Sequence, residues 1–179
     1  MTIRPTRDVL ANCRTEHDQP TQDWEGYCLM FTRTMFAADA LYRSAADAWI
    51  HADHQHPVRT GALVPRGVPV WWLGGSEGFG HVAVSAGSGM CWSTDWGGAG
   101  QVNLARIDDI TTRWNLDLAG WSEDLNEQRV WQPRTAVRTP RLDLIVETAR
   151  DARRATGNTA KDADLTEIIR LARRWSVTY

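Results

Sequence analysis

Apolar residues change their spacing twice along this chain, and the changes divide it into three parts. In the first third they recur at helical spacing. Val9, Leu10 and Cys13 share one face of a short helix that Thr6 is placed to cap. The run "CLMFTRTMF" follows Gly26-Tyr27 and carries apolar residues on more than one face, as a buried helix does. Ser44 opens "SAADAWIHA", an S-x-x-D capping pattern at a helix start.

The period then shortens to two. "VPVWWL" (residues 68–73) predicts a strand, with Pro69 marking its start or a sheet edge. "HVAVSAG" and "MCWSTDW" predict two more, joined through Gly87-Ser88-Gly89 as a hairpin. "VNL" continues the series, Asp108 and Asp109 open a helix in "DDITTRWN", and residues 118–121 and 129–131 read as short strands. After "QPRTAVRTP" the helical period returns. Leu142, Ile145, Val146 and Ala149 form one apolar stripe, and Leu165, Ile168, Ile169 and Ala172 form another. Thr139-Pro140 suits a helix start, and Gly157-Asn158 separates the two helices. The pattern therefore predicts an α+β body over residues 1–132, with helices packed on an antiparallel sheet. A linker and a basic two-helix tail follow over residues 133–179.

Composition adds three constraints. Apolar residues at 42% and charged residues at 23% of 179 residues describe a globular chain of one domain with an appendage. No apolar run is long enough for a membrane span, and the N-terminus lacks a secretory core, so synthesis in the cytoplasm is expected. The net charge of −2 is uneven: 10 basic and 6 acidic residues from Pro133 onward give +4, and the remaining 10 and 16 give −6. That tail reads as a solvated helical face, or as an attraction to an anionic polymer or surface; nucleic acid is not an expected partner.

Candidate chemistry centres on Cys28. Three cysteines (Cys13, Cys28, Cys91) form no C-x-x-C pair, and their odd number leaves a free thiol. A buried cysteine is ordinarily a small hydrophobe, and Cys13 and Cys91 are read that way. Cys28 differs because it heads a helix, where the partial positive charge favours thiolate. A base must then take its proton, and His81, after a Gly-rich turn and at the start of a strand, is the candidate. A third polar group from the neighbouring strand should orient the imidazole. Asp95 has the better chemistry for this, because a carboxylate stabilises imidazolium, and Ser93 on the same face is the alternative. Tyr27 is placed to offer a hydroxyl or shape the groove, and Trp72 is a candidate groove residue. His51, His54 and His56 with Asp47 and Asp53 look like metal ligands but straddle a helix end and Pro57, so they read as a polar helix end. "GGSEGFG" precedes a strand and lacks a following Lys-Ser/Thr, so it is no phosphate loop. No cofactor is implied.

The segments "GYCLMFTR", "PRGVPVWW" and "GFGHVAVSAGSGMCWSTDW" together resemble the CHAP and NlpC-like branch of papain-fold cysteine hydrolases. In that family a cysteine heads a helix, a strand follows, and "GHVAV" matches the segment holding the catalytic histidine. "PRGVPVWW" departs from the family by lacking its usual Gly-Asp. The resemblance covers residues 24–131 and, with "WSTD" and "GWSEDLN", extends to CHAP-like proteins of actinobacterial phages and prophages. It implies a papain-like fold, Cys28 as nucleophile, His81 as base, and Asp95 or Ser93 as third member, Ser93 lying nearer the family's usual polar position. It implies a peptidoglycan endopeptidase or amidase acting on the wall's peptide stem, reaching the wall by phage-assisted release or as part of a virion. Two other readings stand beside it. One is a catalytically idle papain-like module that assembles or binds through its C-terminal helices. The other is a cysteine hydrolase with a non-wall substrate.

Overall fold

Where the period shortens to two, the chain builds a six-stranded antiparallel sheet. The computed structural model describes residues 2–131, so the expected linker and two-helix tail lie outside the described residues. Helices α1 (Thr6–Asp18), α2 (Cys28–Phe36) and α3 (Ala45–Ile50) come first. A two-residue strand β1 (Gln55–His56) and a 3-10 turn (Gly61–Leu63) lead to β2 (Pro69–Gly74), β3 (His81–Gly87), β4 (Met90–Thr94) and β5 (Val102–Arg106). Helix α4 (Ile107–Trp114), β6 (Leu116–Ser122) and the small ribbon of β7 (Asp124–Leu125) and β8 (Gln128–Arg129) complete the described residues. The sheet order is β1-β6-β2-β3-β4-β5, and every pairing is antiparallel. The architecture is α+β.

Both faces of the sheet are covered, which explains why β2 is buried from Pro69 to Trp72 rather than alternating. Trp71, Val82, Val84 and Trp92 pack with the residues of α1, α2 and α3. Val70, Trp72, Ala83 and Cys91 point the other way, against Ile107 and Ile110 of α4 and Trp121 of β6. Neither Trp71 nor Trp72 exposes any surface, and each indole N–H has a partner: Ser122 Oγ at 2.8 Å and Thr111 Oγ1 at 2.9 Å. Pro69 starts its strand as expected, but the strand is interior, between β6 and β3.

Among the four α-helices a side-chain cap marks one start. Ser44 caps α3, its hydroxyl accepting from Asp47 N–H at 3.1 Å. Thr6 does not cap α1; Pro5 holds that position, and Thr6 is the first helical residue. Asp108 lies in the first turn of α4, but its carboxylate reaches out, accepting from Gly61 N–H at 2.7 Å and Thr60 Oγ1 at 3.2 Å. The acid thereby fixes the 3-10 turn to α4.

Candidate active site

Helix α2 begins at the thiol. Tyr27 precedes it as N-cap, with its N–H donating to Trp24 O at 3.0 Å and its carbonyl accepting from Phe31 N–H at 2.8 Å. No side chain caps the helix, so its first amides are left to the sulfur and the cleft. The half-buried Cys28 thiol is pushed up to about 11. Burial is the main cause and the charge of Asp95 adds to it; the backbone amides of Val82, Leu29 and Cys28 itself pull the other way. The thiol is therefore protonated at neutral pH. The influence of the Val82 amide sets the thiol near the start of β3.

His81 opens that strand. Gly80 before it has φ +67°, and a Cβ there would stand 2.5 Å from the Trp72 carbonyl oxygen. Only glycine lets the loop re-enter the sheet this closely. The imidazole is 6% exposed, 5.5 Å from Trp72 between ring centroids and edge-on to Trp114 at 5.0 Å. Burial pushes it down to about 3, so it is neutral at pH 7. Its Nε2 lies 2.9 Å from Ser93 Oγ, and Ser93 Oγ donates to Thr94 O at 3.0 Å. A hydroxyl has one proton. Because the Thr94 carbonyl takes it, Ser93 can only accept from the ring, so Nε2 carries the hydrogen and Nδ1 holds the free lone pair. That is the tautomer a base needs.

Asp95 does not take the role its chemistry suggests. Strand β4 ends at Thr94, and Asp95 turns into left-handed backbone at φ 61°, which carries its carboxylate out of the strand alternation. Oδ1 accepts from Gly100 N–H at 2.8 Å and Oδ2 from Gly26 N–H at 3.2 Å. The polar group bonded to His81 is Ser93. Asp95 instead ties the β4–β5 loop to the turn that delivers Cys28. Trp72 is also displaced from its expected place: wholly buried, it backs the His81 ring and lines no groove. Tyr27 is 55% exposed and does line the cleft.

That cleft has a volume of about 380 Å³ and brings together Cys28, His81, Asp95 and Tyr27. Arg33, Arg43 and Tyr42 also line it, and sequence reasoning passed over all three. Arg33 lies five residues beyond the thiol on the same helix and Arg43 directly precedes the α3 cap, so both had a positional signal. Trp114, on the far side of His81, had none, because α4 meets β3 only through the tertiary fold. Cys13 and Cys91 are buried packing residues whose thiols are pushed far up by burial.

The histidine cluster disperses. His51 stacks on Tyr42 at 4.7 Å, His54 approaches Asp124 at 3.9 Å, and His56 stacks on Trp121 while Nε2 meets Glu123 at 2.9 Å. Among the described residues no group of three or more His, Cys, Asp or Glu is placed to hold a metal ion, and none is long and apolar enough as a helix to cross a membrane. In comparisons with known proteins, no family model, no curated protein and no solved structure matches the chain.

Proposed function

We propose that the chain is a cysteine hydrolase that cleaves an amide bond of the peptidoglycan peptide, as an endolysin or virion-associated lysin. The observation that supports the chemistry is the His81–Ser93–Thr94 hydrogen-bond series, which leaves Nδ1 as the free acceptor of a ring lining the same cleft as a helix-initiating thiol. The element order supports a papain-like reading of the α+β fold: thiol helix, then histidine strand, then a polar partner on the adjacent antiparallel strand. The wall substrate and the phage setting rest on the sequence resemblance alone.

In this mechanism Cys28 passes its proton to His81 Nδ1 as Sγ attacks the carbonyl carbon. The backbone N–H of Cys28 faces the oxyanion. His81 then protonates the departing amine, the C–N bond breaks, and a thioester remains. Water, deprotonated by His81, releases the carboxylic acid and restores the thiol. Because both groups start neutral, proton transfer accompanies attack rather than preceding it.

That same neutrality favours the second reading, an idle papain-like module. A thiol near 11 beside an imidazole near 3 is no ready-made ion pair. Purified full-length protein and its Cys28→Ala variant, incubated with actinobacterial peptidoglycan, separate the readings. Fragments released by the wild type alone, identified by mass spectrometry, support the hydrolase and name the bond. Equal release by both proteins, or by neither, rejects Cys28 catalysis of this substrate.

A further inference from the structure

The cleft is lined by two arginines and one carboxylate, in a body whose net charge is −6. The carboxylate, Asp95, already accepts from two backbone amides. Among the described residues neither Arg33 nor Arg43 forms an ion pair, although the body carries an excess of acids. Tyr42, which also lines the cleft, donates its hydroxyl proton to Glu127 at 2.6 Å. Arg33 sits in the last turn of α2, where a cation offsets the helix dipole, but Arg43 lies outside any helix and has no such reason to be there. Arg33 is half-buried and Arg43 exposed; two guanidiniums that line one cleft, each with five donors and no carboxylate partner, are a recognition element awaiting an anion.

We infer that Arg33 and Arg43 form an anion subsite beside Cys28, and that the cleft selects a peptide carrying a free carboxylate close to the scissile amide. Spacing gives the reach. Five residues along an α-helix set Arg33 about 7.5 Å along the axis from Cys28 and about 140° around it, and the long arginine side chain still reaches the same cleft. A carboxylate, rather than an uncharged amide, is the group that a guanidinium fork binds through two charge-assisted hydrogen bonds. This inference rests on the hydrolase reading for its substrate class, but its own observation is the pair of uncompensated arginines.

The test measures binding without catalysis. Full-length Cys28→Ala is titrated calorimetrically with a synthetic wall stem tetrapeptide bearing free carboxyls, and with the same peptide amidated at the carboxyls flanking the scissile bond. The free-acid peptide should bind at least tenfold more tightly, with the advantage shrinking as salt is raised. Adding Arg33→Gln and Arg43→Gln to Cys28→Ala should erase that difference while the amidated peptide binds as before. Equal affinity for the two peptides, no binding of either, or discrimination that survives both substitutions overturns the subsite. Discrimination by Cys28→Ala together with an inert wild type overturns the hydrolase reading and leaves the subsite standing.

Discussion

At the residue scale the decisive fact is that a hydroxyl, and not a carboxylate, holds His81. Ser93 fixes the tautomer through one neutral hydrogen bond, but it does little to stabilise imidazolium. Ser93→Ala leaves a buried Nε2–H with no acceptor. The cost of such an orphan, about 1–3 kcal/mol, should appear as a roughly ten- to hundredfold fall in kcat with KM nearly unchanged, read from hydrolysis rates against substrate concentration. An unaltered kcat would show that the bond does not orient the ring. With Cys28 up at about 11 and His81 down at about 3, thiol alkylation by iodoacetamide should rise steadily from neutral pH toward 11. A thiolate–imidazolium pair would instead give a fast plateau between roughly pH 4 and 8. Observing that plateau would mean that the pair is ionised before substrate arrives.

At the scale of elements, the site is assembled by loops that are pinned from outside their own strands. Asp95 bridges Gly26 and Gly100, so the turn before α2 is referenced to the end of β4 rather than to its own helix. Gly100 is part of this clamp: at φ +70°, a Cβ there would meet Asp23 Oδ1 at 1.8 Å. Asp95→Ala removes a charged acceptor from two amides and should cost about 2 kcal/mol of stability, with lower kcat, in chemical denaturation and rate assays. Asp95→Asn keeps one acceptor oxygen and should retain about half of that stability, while easing Cys28 alkylation because the negative charge near the sulfur is gone. An Asp95→Asn protein as impaired as Asp95→Ala, with unchanged alkylation, would refute the clamp. The sequence made the elements themselves legible. "CLMFTRTMF" coincides with α2, "HVAVSAG" with β3, and Ser44 with the α3 cap, because each signal is local: a period, a cap, a turn. What stayed hidden depends on backbone hand and on distant packing. Alternation puts Ser93 and Asp95 on one face, and nothing in "WSTDW" announces that the backbone reverses at Asp95. Trp72 is a candidate groove residue in the sequence, yet α4, some forty residues on, covers it.

For the whole molecule, the consequence of a sheet covered on both faces is that His81, the proposed base, is a core residue. His81 shares its face with Trp72 and Trp114, and Cys28 approaches from the side of α1, α2 and α3. The proton that the proposed mechanism places on His81 is thus one that the fold disfavours. The folded His81 releases its proton only near pH 3, whereas the unfolded chain binds it below about 6.5. Between those values the unfolded state holds more protons, so stability falls as the solution is acidified, with a total of about 4–5 kcal/mol from this one group once pH 3 is reached. The cysteines act at the other end. Their folded values lie above the ordinary 9.0, so their contribution is complete below pH 9 and is lost as the pH rises beyond it. The stability profile should therefore be flat from about pH 6.5 to 9 and decline on both sides. Denaturation of the wild type and of His81→Gln, measured from pH 3 to 8, isolates the acid limb. Glutamine keeps an N–H for Ser93 but cannot be charged, so the variant should lose less stability on acidification, and the two curves should converge as the pH falls from 6.5. Parallel curves would mean that His81 titrates alike in the folded and unfolded chain, and that its ring is open to water rather than enclosed by the two tryptophans.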